Sequence, residues 1–377
     1  MGSNLGVGER ERGEALDDVG ARGSFRALLG GFQKRLDGEL AGWLDRRREL
    51  AEREARDAIE LAGKLDAYVL QGGKRLRPAL LFFAFKGCGG RDERHALPAC
   101  LAVELLHTYL LIHDDIMDHA ETRRGQPAAH IVFRDEHRAR GWSGDAEHHG
   151  SSVAILLGDL AHTYAVELFA EARPEGGSHE RVRECFSAMC REVILGQYLE
   201  MTAGQRPDLS EEDLLQVLRM KSGSYSVERP VVLGALLAGA PEDFVEALAR
   251  VGAALGEAFQ LRDDLLGLFG DSSRVGKPVG GDLVEGKFTL LVFHALRSAS
   301  EEGRAAVRAV LGNAEADAEA LERAIAVVRG SGAEDRVLEM IDERLKDARR
   351  RLETLEMTPE GRAFFDGLIG YLRERTR

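Results

Sequence analysis

Cysteine and proline are scarce in this chain. Four cysteines in 377 residues, Cys88, Cys100, Cys185 and Cys190, have neither the paired spacing of a zinc site nor the density of a secreted disulfide scaffold. They read as reduced, mostly buried thiols of a cytoplasmic protein. Nine prolines and a near absence of alternating apolar and polar residues exclude a strand-rich fold. Positive charge is in deficit, 51 Lys and Arg against 64 Asp and Glu. The net −13 argues against nucleic acid as a partner, while a local basic cluster could still take a small anion. No glycine-rich loop ends in Gly-Lys-Ser/Thr, which removes a P-loop nucleotide site. The longest apolar runs, 101–112 and 231–240, are too short or are interrupted by Glu104 and His107, so no integral membrane segment is expected. Residues 1–23 hold six glycines among charged residues without an apolar stretch, and Gly6 stands where a myristoylation motif needs Ser or Thr. They read as a flexible tail without a targeting signal.

What remains is a chain with 44% apolar and 31% charged residues, rich enough to bury a core. Apolar residues recur at three- and four-residue spacing, which makes the fold all-α. Helices are expected over 24–62, 77–86, 94–118, 152–172, 179–201, 210–222, 231–237, 241–268 and 287–300, with three more beyond Glu301. Residues 101–112 are apolar nearly all round, the mark of an internal helix. Residues 125–150 read as a long polar connection, with His148 and His149 in a solvated loop.

That internal helix ends in His113-Asp114-Asp115-Ile116-Met117-Asp118. Asp114 and Asp118 share a face one turn apart, where like charges repel near the negative end of the helix dipole. The arrangement calls for a cation, and hard oxygen donors suit Mg²⁺ better than zinc. An exposed acidic helix end would look the same, but a second apolar helix also delivers paired carboxylates, Asp263 and Asp264. The repetition favours two clusters converging on shared metal ions within one domain, 24–377.

Cations accompany both clusters. Gly72-Gly73-Lys74-Arg75-Leu76-Arg77-Pro78 puts three of them behind two glycines that let a backbone approach an oxyanion. Arg123 and Arg124 follow the first acidic motif, and Lys221, Lys277 and Lys287 lie near helix ends or glycine-rich joints. Together they describe a site for polyphosphate-bearing ligands.

These residues, with Gly196-Gln197 and with Phe259-Gln260 ahead of Asp263-Asp264, resemble the trans-isoprenyl diphosphate synthases, or polyprenyl synthetases, over nearly all of 24–377. The resemblance implies a helical bundle around a deep central cavity, usually homodimeric, that joins isopentenyl diphosphate to an allylic diphosphate. It implies that Asp114, Asp118 and Asp263 coordinate Mg²⁺, three ions with diphosphate bound, Mn²⁺ being an alternative, and that Asp115 and Asp264 support them. Arg123, Lys221, Gln260 and Lys277 would contact the allylic partner. Gly73, Lys74, Arg77, His107 and Arg124 would hold isopentenyl diphosphate, while Gln197 lies behind the ligands and Ser222 and Lys287 complete the substrate set.

The chain departs from the family pattern at Gly267, where many members have a third aspartate, leaving Asp263, Asp264 and Asp271 there. Glu200 stands for a frequent aspartate, and Gly281-Asp282 for a frequent aspartate pair. Leu106, Tyr109, Leu110 and Leu111 occupy the positions that floor the family's chain-length cavity. A tyrosine there implies a C15 to C20 product, geranylgeranyl diphosphate foremost. A terpene cyclase on the same fold would not need Lys74, Arg77, His107 and Arg124, and a non-catalytic partner subunit would tend to lose an aspartate motif.

Overall fold

Six of the described α-helices start where a side chain satisfies a free N–H group of the first turn. Asp145 Oδ1 accepts from the backbone of Glu147 at 2.9 Å, and Ser210 and Asp213 form a reciprocal capping box. Ser178, Thr289, Ser300 and Asp317 cap in the same way. The computed structural model describes residues 5–206, 208–270 and 279–374, and of residues 5–22 the backbone alone.

In chain order the α-helices are α1 (Leu5–Glu54), α2 (Ile59–Leu70), α3 (Leu76–Gly87), α4 (Leu97–Met117), α5 (Ala129–Ala139), α6 (Ala146–Phe169), α7 (His179–Ala203) and α8 (Glu211–Leu218). A π-helical stretch, Arg219–Glu228, continues α8 into α9 (Arg229–Leu237) and α10 (Glu242–Phe269). Then come α11 (Gly281–Val284), α12 (Leu290–Ser298), α13 (Glu301–Val310), α14 (Ala318–Gly330), α15 (Ala333–Glu353) and α16 (Pro359–Glu374). The expected all-α class holds. Among the described residues the strands are a two-residue ribbon, β1 (Thr122–Arg123) against β2 (Gln126–Pro127).

Some expected boundaries move. The long first helix breaks at Ala55 and resumes as α2. The polar connection 125–150 contains α5, whose buried stripe is Ala129, His130, Phe133 and His137, too narrow and too polar to read as a helix from apolar spacing. Four helices follow Glu301, one more than expected.

The chain forms two compact units. In the smaller, Leu29–Phe82 and Asp92–Arg173, α4 packs on α6 and α6 on α5. Phe32 meets Phe82 at 4.8 Å, and Trp43 meets Tyr164 edge-on at 5.2 Å. By length and composition two stretches could cross a membrane, Glu93–Met117 and Ala146–Phe169, because the helices outrun the apolar runs visible in sequence. Sixty-one per cent of the first stretch's apolar window is buried inside the fold, as in a core helix.

In the larger unit, Met1–Leu28, Phe83–Arg91 and Pro174–Arg377, α10 packs along α15 and the π-helical stretch. Buried Glu257 of α10 ties them together, accepting from Arg219 Nε at 2.7 Å and from Arg344 Nε at 2.6 Å. Phe83 stacks on Phe364 at 4.2 Å, with Phe25 beside them. Burying each such ring stabilises by about 1.5–3 kcal/mol.

Candidate active site

The acidic end of α4 turns its three aspartates to different surroundings. Asp115 is fully buried, accepting from Arg123 Nε at 2.8 Å, from Arg123 Nη2, and from the Tyr68 hydroxyl at 3.2 Å. Burial raises its carboxyl above the usual range, against the pull of Arg123. Asp114 and Asp118 stay half-buried, with Arg123 Nη2 3.8 Å from Asp114. Asp114 and Asp118 therefore keep part of their surface open, while Asp115 faces the interior.

Arg123 and Arg124 are delivered by the ribbon. Thr122 pairs with Pro127 and Arg123 with Gln126, leaving Arg124 and Gly125 as a two-residue turn with φ of 54° and 74°. Two positive φ values in succession mark the tight hairpin turn that matches strand twist. Arg124 Nη1 donates to the Gly72 carbonyl, and its guanidinium lies flat against Gly73, where a Cβ would stand 3.0 Å from Nη2. Glycine at 73 thus makes room for the arginine.

The loop before α3 is pinned from several sides. Gln33 Nε2 donates to the Lys74 carbonyl at 2.6 Å, and Lys74 itself is exposed. Arg77 Nη1 lies 3.2 Å from His107 Nε2. Burial, then the charges of Arg77, Arg124, Arg123 and Arg75, hold His107 well below the usual histidine range. The imidazole is neutral, so its Nε2 accepts from Arg77. Burial is the larger cause, and the arginines add to it; Arg75 and Arg123 are themselves paired with carboxylates, which leaves Arg77 and Arg124 as the cations nearest the imidazole. Arg75, the middle cation of this motif, is buried among carboxylates.

Upstream on α4, Leu106 is fully buried, whereas Tyr109 and Leu110 are half-buried. The Tyr109 ring lies 4.7 Å from that of His113 and 5.0 Å from that of His162 on α6. His162 was not among the candidates, since nothing in the sequence marks which residues of a neighbouring helix meet a given turn.

The larger unit carries the second acidic end. Gln260 Nε2 donates to Asp264 Oδ1 at 2.7 Å. Burial pushes the Asp264 carboxyl up to about 8, and Asp282, Glu200 and Asp263 push it the same way. The space left by glycine at 267 is taken by the Asp282 carboxylate, which a Cβ there would overlap. Asp282 is thus the third acid of this cluster. Lys287 Nζ is 3.6 Å from Asp282 Oδ1 and 2.6 Å from Glu285 Oε2. Lys221 pairs with Glu200 and sits with Ser222 in the π-helical stretch, against which Gly196 brings α7 so close that any Cβ would overlap the Lys221 backbone. Gln197 follows on α7, half-buried. Lys277 and Asp271 lie outside the described residues.

All the acidic donors are carboxylate oxygens, which suits a hard divalent cation. Among the described residues no three His, Cys, Asp or Glu side chains are grouped as a ready metal cage. That is compatible with a cation held by one or two carboxylates, water and substrate phosphate.

Comparison with known proteins gives a consistent answer. The polyprenyl synthetase family model matches residues 60–328. The geranylfarnesyl diphosphate synthase of Aeropyrum pernix is 34% identical over 324 residues, 84% of this chain and 95% of that one. The geranylgeranyl diphosphate synthase of Mycobacterium tuberculosis is 35% identical over 288 residues, 76% of this chain and 77% of its own. A solved structure of geranylgeranyl pyrophosphate synthase from Corynebacterium glutamicum, complexed with isoprenyl diphosphate and magnesium, matches with a TM-score of 0.88 at 34% identity, covering 92% of this chain and 99% of that one. The chain belongs to the polyprenyl synthetase family of prenyltransferases.

Proposed function

We propose that the protein is a short-chain trans-prenyltransferase that condenses isopentenyl diphosphate with an allylic diphosphate, with geranylgeranyl diphosphate as its main product. The observation that carries the reading is the cluster of Arg77 and Arg124 around a neutral His107, beside exposed Lys74 and in the same unit as Asp114 and Asp118, while Arg75 and Arg123 are paired with carboxylates. Asp114, Asp118 and Asp263 are the proposed ligands of Mg²⁺, which when bound stabilises charge on the departing diphosphate. Three ions would be held with diphosphate bound, Mn²⁺ substituting for Mg²⁺, a number that metal titration in the presence of diphosphate reads.

Gly73, Lys74, Arg77, His107 and Arg124 would hold isopentenyl diphosphate, and Lys221, Gln260 and Lys277 the allylic diphosphate, with Ser222 and Lys287 near it and Gln197 behind. Arg123, which fixes Asp115 and borders Asp114, would contact the allylic diphosphate from there. Apolar surroundings keep water from the allylic cation that isopentenyl diphosphate attacks. No side chain is nominated as the base that takes the departing proton. Tyr109, edge-on to His113 and tilted against His162, would stop elongation, with Leu110 beside it and Leu106 behind.

Two further expectations have support of their own. Ile194, Leu195, Tyr198 and Met201 form an exposed apolar stripe on α7, the surface a homodimer would cover. All four cysteines are free, and burial pushes the Cys88 thiol up to about 12, in keeping with a reducing, cytoplasmic setting.

The test is incubation of the purified protein with labelled isopentenyl diphosphate, each allylic primer and Mg²⁺, followed by chromatography. Incorporation into a C20 product is expected, and Tyr109→Ala should lengthen it. Absence of incorporation with every primer overturns the reading, and an unchanged product from Tyr109→Ala overturns the chain-length role.

A further inference from the structure

Arg75 sits in the basic loop between exposed Lys74 and half-buried Arg77, yet only 1% of its side chain is exposed. Every arm of its guanidinium has its own acceptor. Nε donates to Asp37 Oδ1 at 2.9 Å, Nη1 to Glu104 Oε1 at 2.5 Å, and Nη2 to the Val69 carbonyl at 2.8 Å. Those acceptors come from α1, α4 and the end of α2, so one side chain ties the loop to three helices of the smaller unit. The Glu104 side chain is itself only 3% exposed.

The choice of acceptors relates the loop to the chemistry. Glu104 lies one helical turn before His107, so the stretch of α4 that grips Arg75 also presents the imidazole that meets Arg77 at 3.2 Å. The backbone at Arg75 is left-handed, φ 48°, a conformation that a residue with a side chain keeps only when its surroundings over-determine it. A buried ion pair adds little net stability compared with apolar residues of similar size. Three directed bonds from a planar fork do fix an orientation, which the point charge of a lysine would not.

We propose that Arg75 is a positioning residue for the isopentenyl diphosphate site, fixing the Gly72–Arg77 loop against α4 so that Lys74, Arg77 and His107 stand in register for one diphosphate. The proposal rests on the functional reading above. It is tested by steady-state kinetics of the full-length enzyme with each substrate varied in turn, alongside thermal melting.

In the double variant Arg75→Met/Glu104→Met, both charges leave together, so the melting temperature should stay close to that of the unaltered protein. The KM for isopentenyl diphosphate should rise about tenfold or more. The KM for the allylic diphosphate and kcat should change by less than about twofold, since those depend on other groups. If the double variant fails to fold, Arg75→Lys, which keeps charge and length, carries the test with a smaller rise in the same KM. An unchanged KM for isopentenyl diphosphate in the variant that folds overturns the proposal. So does an equal rise in both KM values together with a loss of melting temperature, which is what a purely structural residue would give. Turnover by the unaltered protein is measured first; if it is absent, the functional reading fails and the role of Arg75 falls with it.

Discussion

The two acidic helix ends look alike in sequence and are built differently. At the end of α4 the most buried acid, Asp115, has a matching cation in Arg123 and a hydroxyl from Tyr68, which offset part of the burial that raises its carboxyl. At the end of α10 the perturbed acid, Asp264, has the amide of Gln260 and three other carboxylates around it, and its carboxyl is pushed up to about 8. One end is held by pairing with an arginine; at the other, Lys221 and Lys287 pair with Glu200, Asp282 and Glu285, and Asp264 itself is met by an amide. The difference teaches that repeating an acidic pair need not repeat its electrostatics.

The largest expected effect breaks both ends at once. Asp114→Asn and Asp263→Asn should each lower kcat about 10³-fold, as loss of a charge-stabilising group at a leaving diphosphate does. If both acids serve the same bound diphosphate, the double variant should be little worse than either single one. A loss equal to the product of the two would separate their roles. Next comes the internal pairing. Asp115→Asn leaves the Arg123 guanidinium with only the longer 3.8 Å contact to Asp114 and should cost about 3 kcal/mol in urea unfolding. Asp114→Asn, one residue earlier but half-exposed, should leave stability nearly unchanged.

Much of this contrast was hidden in the sequence, for identifiable reasons. Helical class, both acidic ends and the basic loop follow from residue type and spacing, which is why the site residues could be named at all. Which acid of Asp114-Asp115 points inward is decided by Tyr68 and by a ribbon turn at Arg124-Gly125, contacts between segments that spacing does not encode. Arg75 looked like its neighbours because burial by Asp37 and Glu104 leaves no local mark. α5 was missed because two of its four buried residues are histidines. The π-helical stretch at Lys221 escaped because its hydrogen-bond pattern leaves the apolar spacing of α8 unchanged up to Leu218.

A third measurement sharpens the contrast by removing metal. With the folded Asp264 carboxyl at about 8 and its unfolded value at 3.8, the folded state binds a proton that the unfolded state releases. That contribution to stability is complete below about pH 4 and is lost as pH rises through about 8. In EDTA the melting temperature should therefore decline between pH 5 and pH 8, and Asp264→Asn should flatten the decline. Added Mg²⁺ should restore the unaltered protein at pH 8. A profile that Asp264→Asn leaves unchanged would show that this acid does not set the demand for a cation.

The smallest expected effect tests whether Asp282 has taken the place of the aspartate absent at 267. A side chain at 267 would overlap the Asp282 carboxylate, so Gly267→Asp should not add a ligand but displace one. The incoming charge would also stand among Asp263, Asp264, Asp282 and Glu200, raising the repulsion that already lifts Asp264. The expected outcome is a loss of about tenfold in kcat/KM for the allylic diphosphate at limiting Mg²⁺, recovered in part at high Mg²⁺. Gly267→Ala brings the overlap without the charge and should show the displacement alone. Asp282→Asn supplies the opposite comparison: combined with Gly267→Asp it removes the competing charge, and if the two acids are interchangeable the pair should work better than Gly267→Asp by itself.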